Sequence, residues 1–230
     1  MSANRWVTFD CFGTLVDWQA WFVAALAPFA GARVLALHRA YLAHERLVAH
    51  ERPLRPYKDV VVTALTRAAG ELGVPLSSSD AGALPRAWAS MRLFDDVEAM
   101  LTELRLKGWR LAVLTNCDDD LFEITHAAFR APFDLFVTSE RVRAFKPERW
   151  HFRAFELITG VARQNWVHVG TSWYHDIAPA GELGLNHVWV DRGGTGDGAG
   201  SSSVRVRSMA EIAGSIEALV ERDAVPQGIL

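Results

Sequence analysis

The sequence has 230 residues, of which 27 are acidic and 24 basic, so its formal net charge at pH 7 is −3 with neutral histidines. Half of the residues are hydrophobic, which predicts a globular fold of one or two domains and excludes a disordered chain. The near-neutral charge gives no electrostatic reason to expect nucleic acid or an anionic membrane surface as a partner.

Cysteine usage and the start of the chain bear on the cellular compartment. Only Cys11 and Cys117 are present, too few for a disulfide framework, and we expect both thiols to be packing residues. No basic-then-apolar leader and no run of about 18 apolar residues stands out. We therefore expect a cytoplasmic protein without a membrane partner.

The first element is a short apolar run, Trp6–Phe9, that ends at Asp10 and is followed by Gly13 and Thr14. This pattern predicts a buried strand with a carboxylate at its carboxyl end. Ligands bind at that edge of open α/β sheets. An isolated Asp at a strand end more often caps the next turn, so Asp10 needs support from other residues.

A long block without any strand pattern follows, from about residue 18 to residue 91. Apolar residues recur in it at spacings of three and four, and prolines and glycines interrupt the pattern. The block predicts an all-helical insertion. We assign residues 17–92 to this helical cap domain, and residues 1–16 and 93–230 to an α/β core domain.

From residue 94 onwards, apolar strands alternate with helices. Strands are predicted at 109–114, 133–137, 166–170 and 186–190, a loop at 139–145, a mobile Gly/Ser-rich loop at 192–203, and a closing helix at 209–220. Asp95 and Asp96 are predicted to cap the helix before the second strand, and Lys146 to open a later one. Fully apolar strands between helices predict a Rossmann-like doubly wound parallel sheet.

Polar residues follow four of the predicted strands. They are Asp10 and Thr14 after the first strand, Thr115 and Asn116 after the second, Lys146 after the third, and Thr171, Ser172 and Asp176 after the fourth. The carboxyl ends of parallel strands lie on one edge, so these side chains are expected to converge on one pocket. Each residue alone is typical of a helix cap or a solvated surface, and only their combination in this order is specific.

These segments resemble the haloacid dehalogenase superfamily and, within it, the L-2-haloacid dehalogenase (type II) group. The resemblance rests on residues 9–15, 114–116, 145–148 and 169–176. The helical insertion falls where that family carries its cap domain.

The resemblance implies roles for individual residues. Asp10 would be the nucleophile that forms a covalent ester with the substrate, and Lys146 would keep it ionised. Thr14 would hold oxygens of Asp10 or the substrate, and Asp176 would anchor Lys146 or position the hydrolytic water. The implied substrate-binding residues are Phe12, Arg39, Thr115, Asn116, Thr171, Ser172 and Trp173. Arg39, in the cap, would bind the substrate carboxylate and the leaving halide.

Phe12 and Thr171 decide between the reactions of the superfamily. Phosphatases carry an Asp at the position of Phe12, as a general acid, and an acidic magnesium ligand at the position of Thr171. A phenyl ring donates no proton, and a hydroxyl is a poor substitute for a carboxylate on magnesium. The resemblance therefore implies hydrolytic dehalogenation of short L-2-haloalkanoates such as haloacetate or 2-chloropropionate, without a metal or cofactor.

Three alternatives stay open. They are a Mg²⁺-dependent phosphatase for a small phosphate ester, a dehalogenase-like protein with another substrate, and a non-enzymatic protein on this fold. The chain departs from the dehalogenases at Phe152, where they carry Tyr, and at Trp173, where they carry Asn. Trp173 is predicted to narrow the pocket and favour short acids. A small organic acid is the expected partner, and a homodimer is left open.

Overall fold

The structure, a computed structural model, describes residues 4–194 and 203–224. Its sheet is parallel, with strand order β3-β2-β1-β4-β5-β6. The strands are β1 (Trp6–Phe9), β2 (Arg110–Thr115), β3 (Leu135–Thr138), β4 (Trp166–Gly170), β5 (Asn186–Val190) and β6 (Val204–Val206). This architecture confirms the predicted Rossmann-like α/β fold.

The helices fall into two groups. Residues 17–92 contain α1 (Trp18–Ala30), α2 (Val34–Ala49), α3 (Tyr57–Glu71), α4 (Ser78–Ala81) and α5 (Ala83–Arg86). The later helices are α6 (Val97–Leu106), α7 (Asp119–His126), α8 (Ser139–Val142), α9 (Trp150–Thr159), α10 (Ala178–Glu182) and α11 (Ile212–Ala224). The segment between β1 and β2 is thus helical, as its apolar spacing predicts.

The central strand β1 brings the chemistry-bearing segments level with one another. All four of its residues are buried, which a strand needs when helices cover both faces of its sheet. Phe9 pairs with Val113 on one side and with Val169 on the other. Asp10, the end of β2 and the end of β4 therefore meet at the same edge.

One stretch, Trp18–Ala49, has the length and apolar composition of a membrane-crossing helix. The structure interrupts it with a 3₁₀ turn at Gly31–Arg33 and packs its two halves against each other. The Phe22 ring lies 4.8 Å from the His38 ring and 5.0 Å from the Tyr41 ring. Its apolar residues thus form packed helices of the insertion.

Several element boundaries differ from the sequence-based predictions. The predicted loop at 139–145 contains the short helix α8, which Thr138 caps by accepting from the Arg141 N–H. The helix expected to open at Lys146 begins at Trp150. The short strand β6 was not predicted at all. Most of the predicted mobile loop, 195–202, lies outside the described residues.

Asp96 does not cap α6, although it precedes the helix as predicted. Its carboxylate instead accepts hydrogen bonds from both terminal nitrogens of Arg192, at 2.8 and 2.9 Å, and from the hydroxyl of Ser208 and the backbone N–H of Met209. Burial alone would raise the pKa of Asp96, but these donors lower it. A tertiary contact has replaced the local cap.

We expect Asp96→Ala to lower the free energy of unfolding by roughly 2–3 kcal/mol, because it leaves several donors without their charged acceptor. The loss shrinks as the pH falls below about 3.9, because the unfolded chain takes up a proton there, whereas the folded carboxylate, with its lowered pKa, takes one up only at lower pH. Urea unfolding of both proteins at pH 7 and pH 3.5 checks this. Asp95→Ala, at an exposed neighbouring position, is the control, and an equal loss in that variant would contradict the assignment.

Candidate active site

Lys146 is the centre of the candidate site. Its Nζ donates to Asp10 Oδ1 at 2.9 Å, to Asp176 Oδ1 at 2.6 Å and to the carbonyl oxygen of Leu114 at 2.8 Å. The side chain is only 1% exposed, yet its three protons match three acceptors. Burial alone would lower the pKa of Lys146, but the two carboxylates raise it, so the amine stays charged.

Asp10 presents its carboxylate to a cavity at the end of β1. One oxygen accepts from Lys146, and the other accepts from the Thr14 hydroxyl at 2.7 Å. Gly13 allows this tight loop because its φ of +91° strains other residues. Burial and the nearby Asp176 raise the pKa of Asp10 to about 6, against the opposing effect of Lys146 and Thr14. The carboxylate is ionised at neutral pH and poorly solvated.

Asp176 is fully buried and holds Lys146 in place through an ion pair with its amine. A Cβ on Gly170 would lie 2.5 Å from the Cβ of Asp176, so only glycine at the end of β4 leaves room for this carboxylate. Its Oδ2 accepts from the backbone N–H of Ser172 at 3.3 Å. Burial opposes ionisation, but Lys146 and His168 outweigh it and lower the pKa of Asp176.

A buried chain of hydrogen bonds behind Asp176 was not predicted from the sequence. The Trp166 indole donates to Thr8 Oγ1 at 2.8 Å, and this oxygen lies 2.9 Å from His168 Nδ1. The Thr8 hydroxyl can accept from the indole and donate to Nδ1 in the tautomer of His168 that carries its proton on Nε2. That nitrogen lies 3.6 Å from Asp176 Oδ1. Burial lowers the pKa of His168, which keeps the ring neutral.

Two predicted binding residues serve mainly to shape the surrounding loops. The Asn116 amide accepts from the backbone N–H of Lys146 at 2.7 Å and donates to its carbonyl at 3.1 Å. The Thr171 hydroxyl donates to the carbonyl of Gly13, and its backbone N–H donates to Thr14 Oγ1. Both residues line the cavity, but these side chains hold the Lys146 and Asp10 loops in position.

The cavity in front of Asp10 has a volume of about 790 Å³ and lies between the sheet edge and the helical insertion. Phe12 and Trp18 form an aromatic wall, with ring centroids 6.1 Å apart. Thr115 also lines it, and its buried hydroxyl has no hydrogen-bond partner among the described residues. Ser172 lines it as well, with its hydroxyl engaged by His175. The site places the ionised Asp10 carboxylate against largely apolar walls.

Arg39 and Trp173 do not line the cavity, contrary to prediction. Arg39 is exposed on α2, two helical turns or about 10 Å before Arg46, which does line it. Trp173 packs on Trp189 of β5, with ring centroids 5.2 Å apart. Trp173 therefore does not narrow the cavity, and the predicted restriction to short acids loses its basis. Phe152 is buried against His168.

The insertion supplies cavity residues that the sequence reasoning missed. They are His38, Tyr41, Glu45 and Arg46 on α2, and Tyr57 at the start of α3. His175 also lines the cavity, from the turn after β4. Burial raises the pKa of Glu45 to about 7, which Tyr57 opposes by hydrogen bonding. The spacing of Tyr41 and Glu45, four residues apart on one helix face, is the sequence signal that was available.

A divalent cation has a poor set of ligands at this site. Magnesium prefers several charged oxygens, and Asp176 Oδ1 already accepts from Lys146. Thr171 and Ser172 add only hydroxyls. Across residues 4–194 and 203–224, no group of three His, Cys, Asp or Glu side chains is arranged to hold a metal ion. The residues present do not fit a resident magnesium ion.

A doubly wound sheet whose edge carries a lysine-paired aspartate, facing a cavity under a helical insertion, defines an α/β protein with a carboxylate site at its sheet edge. The pattern of the haloacid dehalogenase-like hydrolase family matches residues 5–184. The chain belongs to this family and is a hydrolase.

The sequence is similar to several named enzymes. (S)-2-haloacid dehalogenase of Pseudomonas sp. (strain YL) is 25% identical over 199 residues, covering 84% of this chain and 85% of that protein. Haloacetate dehalogenase H-2 of Moraxella sp. (strain B) is 23% identical, over 60% of this chain and 62% of that protein. Phosphoserine phosphatase of Thermus thermophilus is 34% identical, over 52% of this chain and 49% of that protein.

The solved structures agree on the fold. The L-2-haloacid dehalogenase RSc1362 superposes with a TM-score of 0.85 at 23% identity, covering 94% of this chain and 99% of that one. At that identity, the likeness establishes the fold alone.

The ionisation of Asp10 tests the geometry of the site directly. We expect its carboxyl carbon to titrate near pH 6 by NMR, and to be protonated below that value. In Lys146→Met, the midpoint rises by one pH unit or more, roughly the effect of losing an adjacent opposite charge. Circular dichroism confirms that the variant is folded. A midpoint near 4 in the wild type, or no rise in the variant, would contradict this electrostatic description.

Proposed function

We propose that this protein hydrolyses the carbon–halogen bond of L-2-haloalkanoic acids, such as 2-chloropropionate and haloacetates, through an ester on Asp10. The observation that carries the proposal is the ionised, poorly solvated Asp10 carboxylate, held by Lys146 and Thr14 and facing a cavity with an aromatic wall. In this role residues 17–92 act as a cap domain that excludes bulk water from the carboxylate.

The first step is a substitution at carbon. A carboxylate oxygen of Asp10 attacks C2 of the substrate, the new C–O bond forms, and the halide leaves with the bonding electrons, inverting C2. Because a halide leaves without a proton, no general acid is needed at Phe12. The free hydroxyl of Thr115 donates a hydrogen bond to the substrate carboxylate.

The second step restores the enzyme. Water attacks the carbonyl carbon of the Asp10 ester and releases a 2-hydroxy acid. One proton of the water ends on the product hydroxyl, and the other is released to solvent. Lys146 stays bound to Asp176 throughout, so its charge stabilises the negative oxygen that develops on Asp10. Neither step uses a metal or an organic cofactor.

A magnesium-dependent phosphatase is the second candidate, favoured by the 34% identity to a phosphoserine phosphatase over about half of the chain. Its leaving alkoxide needs a proton that Phe12 cannot supply. Its magnesium ion needs charged oxygens where Thr171 offers a hydroxyl. The local identity is explained as well by the shared family scaffold, so we rank this activity second.

Halide release from L-2-chloropropionate and bromoacetate, with metal chelated, tests the proposal. We expect steady release by the wild type and a loss of at least about a thousandfold in Asp10→Asn, because an amide oxygen is a far weaker nucleophile than a carboxylate. Release should fall as the pH drops below about 6, where Asp10 takes up a proton.

Asp95→Asn is the control, since it removes an exposed carboxylate elsewhere in the chain and leaves the rate unchanged. Release that survives in Asp10→Asn would exclude Asp10 as the nucleophile. Phosphate release from an aryl phosphate, stimulated by magnesium and exceeding halide release, would show that the protein is a phosphatase.

A further inference from the structure

Arg46 of the insertion and His175 of the sheet edge are two of the donors at the cavity that the proposed reaction does not use. Both line the same cavity as Asp10. The Arg46 guanidinium is exposed and lies 5.1 Å from the ring centre of Tyr174, which holds it across the gap between insertion and core. It forms no salt bridge with a carboxylate among the described residues, although its charge lowers the pKa of the neighbouring Glu45.

His175 offers a neutral N–H beside this arginine. Its backbone N–H donates to Ser172 Oγ at 3.1 Å, and the same oxygen lies 3.1 Å from its Nδ1. A Ser172 hydroxyl that accepts from the backbone N–H and donates to Nδ1 leaves the ring proton on Nε2, and this is the tautomer that the subsite uses. No described residue accepts from that nitrogen. Arg46 and His175 are close enough for the arginine charge to help depress the pKa of the histidine.

The other cations of the cavity are already neutralised. Lys146 binds two carboxylates, and Arg192 forms a bidentate pair with Asp96. Glu45, beside Arg46 in sequence, is 7% exposed, and burial raises its pKa to about 7. Arg46 is therefore the cation at this cavity that is free to bind an anion, within the part of the chain that the structure describes.

Arg46 and Asp10 lie at different depths of the cavity. Asp10 is 13% exposed, whereas Arg46 lies on the exposed surface. A volume of about 790 Å³ is in the range that accommodates drug-sized ligands, and a haloacetate has only a few heavy atoms. A longer acid can place its reactive carbon at Asp10 and a second charged group at the cavity mouth.

We propose that Arg46 and His175 form a subsite for a second carboxylate, and that the preferred substrates are 2-halodicarboxylic acids, such as 2-haloglutarates, rather than 2-halomonocarboxylic acids. This inference rests on the proposed dehalogenation. The guanidinium fork and the Nε2–H bind the distal carboxylate, while the reacting end lies at Asp10. Two fixed donors select substrates by length as well as by charge.

The test compares kcat/KM for L-2-chloroglutarate with that for L-2-chlorobutyrate, which lacks the second carboxylate. The wild type should prefer the dicarboxylate, and in Arg46→Gln the ratio should fall about tenfold, the effect of roughly 1.4 kcal/mol, mainly through KM. Arg67→Gln is the control, because it removes an exposed arginine of the same insertion, on α3, outside the cavity. It should leave the ratio and the rate unchanged.

Calorimetric binding of glutarate, which carries no halogen, separates the two proposals. Binding that is weakened in Arg46→Gln but not in Arg67→Gln, together with no halide release from any haloacid, retains the subsite and overturns the dehalogenation. Halide release with a wild-type preference for the monocarboxylate, or a ratio that Arg46→Gln leaves unchanged, overturns the subsite alone.

Discussion

The structure depends on one buried ion cluster, in which the single positive charge of Lys146 is shared by Asp10 and Asp176. Removing a lysine from water is costly unless its protons and its charge are both matched, and here three acceptors match three protons. The neighbouring rings of His151 and His168 add no charge, because burial lowers the pKa of both. The cluster therefore carries one surplus negative charge. Asp176 is sealed inside, so that charge faces the cavity through Asp10.

The fold supplies this cluster from segments far apart in sequence. Parallel pairing of β1 with β2 and β4 sets three strand ends level, and Gly170 leaves the space that Asp176 fills. Two hydrogen bonds between the Asn116 side chain and the Lys146 backbone, one in each direction, fix the loop that carries the lysine. The helical insertion then covers the exposed oxygen with aromatic rings. A carboxylate in such surroundings loses hydration without losing its charge, which suits it for attack on carbon.

Elementary rules were sufficient to locate the cluster but not its surroundings. Strand ends in a parallel sheet must meet at one edge, so Asp10, Lys146 and Asp176 could be grouped from spacing and resemblance alone. The position of Arg46 at the cavity could not be predicted, because a helix exposes many polar residues and only tertiary packing decides which of them faces a cavity. The same holds for His168, because it lies inside an apolar strand, where its partners Thr8 and Asp176 come from other segments. Asp96 was predicted to cap a helix, but its carboxylate accepts hydrogen bonds from Arg192 and Ser208 instead.

The central claim is that the Asp10 carboxylate, and not water, attacks the substrate carbon. A single turnover in H₂¹⁸O, with enzyme in excess over L-2-chloropropionate, tests it most directly. If the ester on Asp10 forms and is hydrolysed at its carbonyl carbon, mass spectrometry finds ¹⁸O in the peptide that contains Asp10 and unlabelled oxygen in the 2-hydroxy acid. Label in the product, with none in that peptide, would show that water attacks carbon directly and would contradict the account.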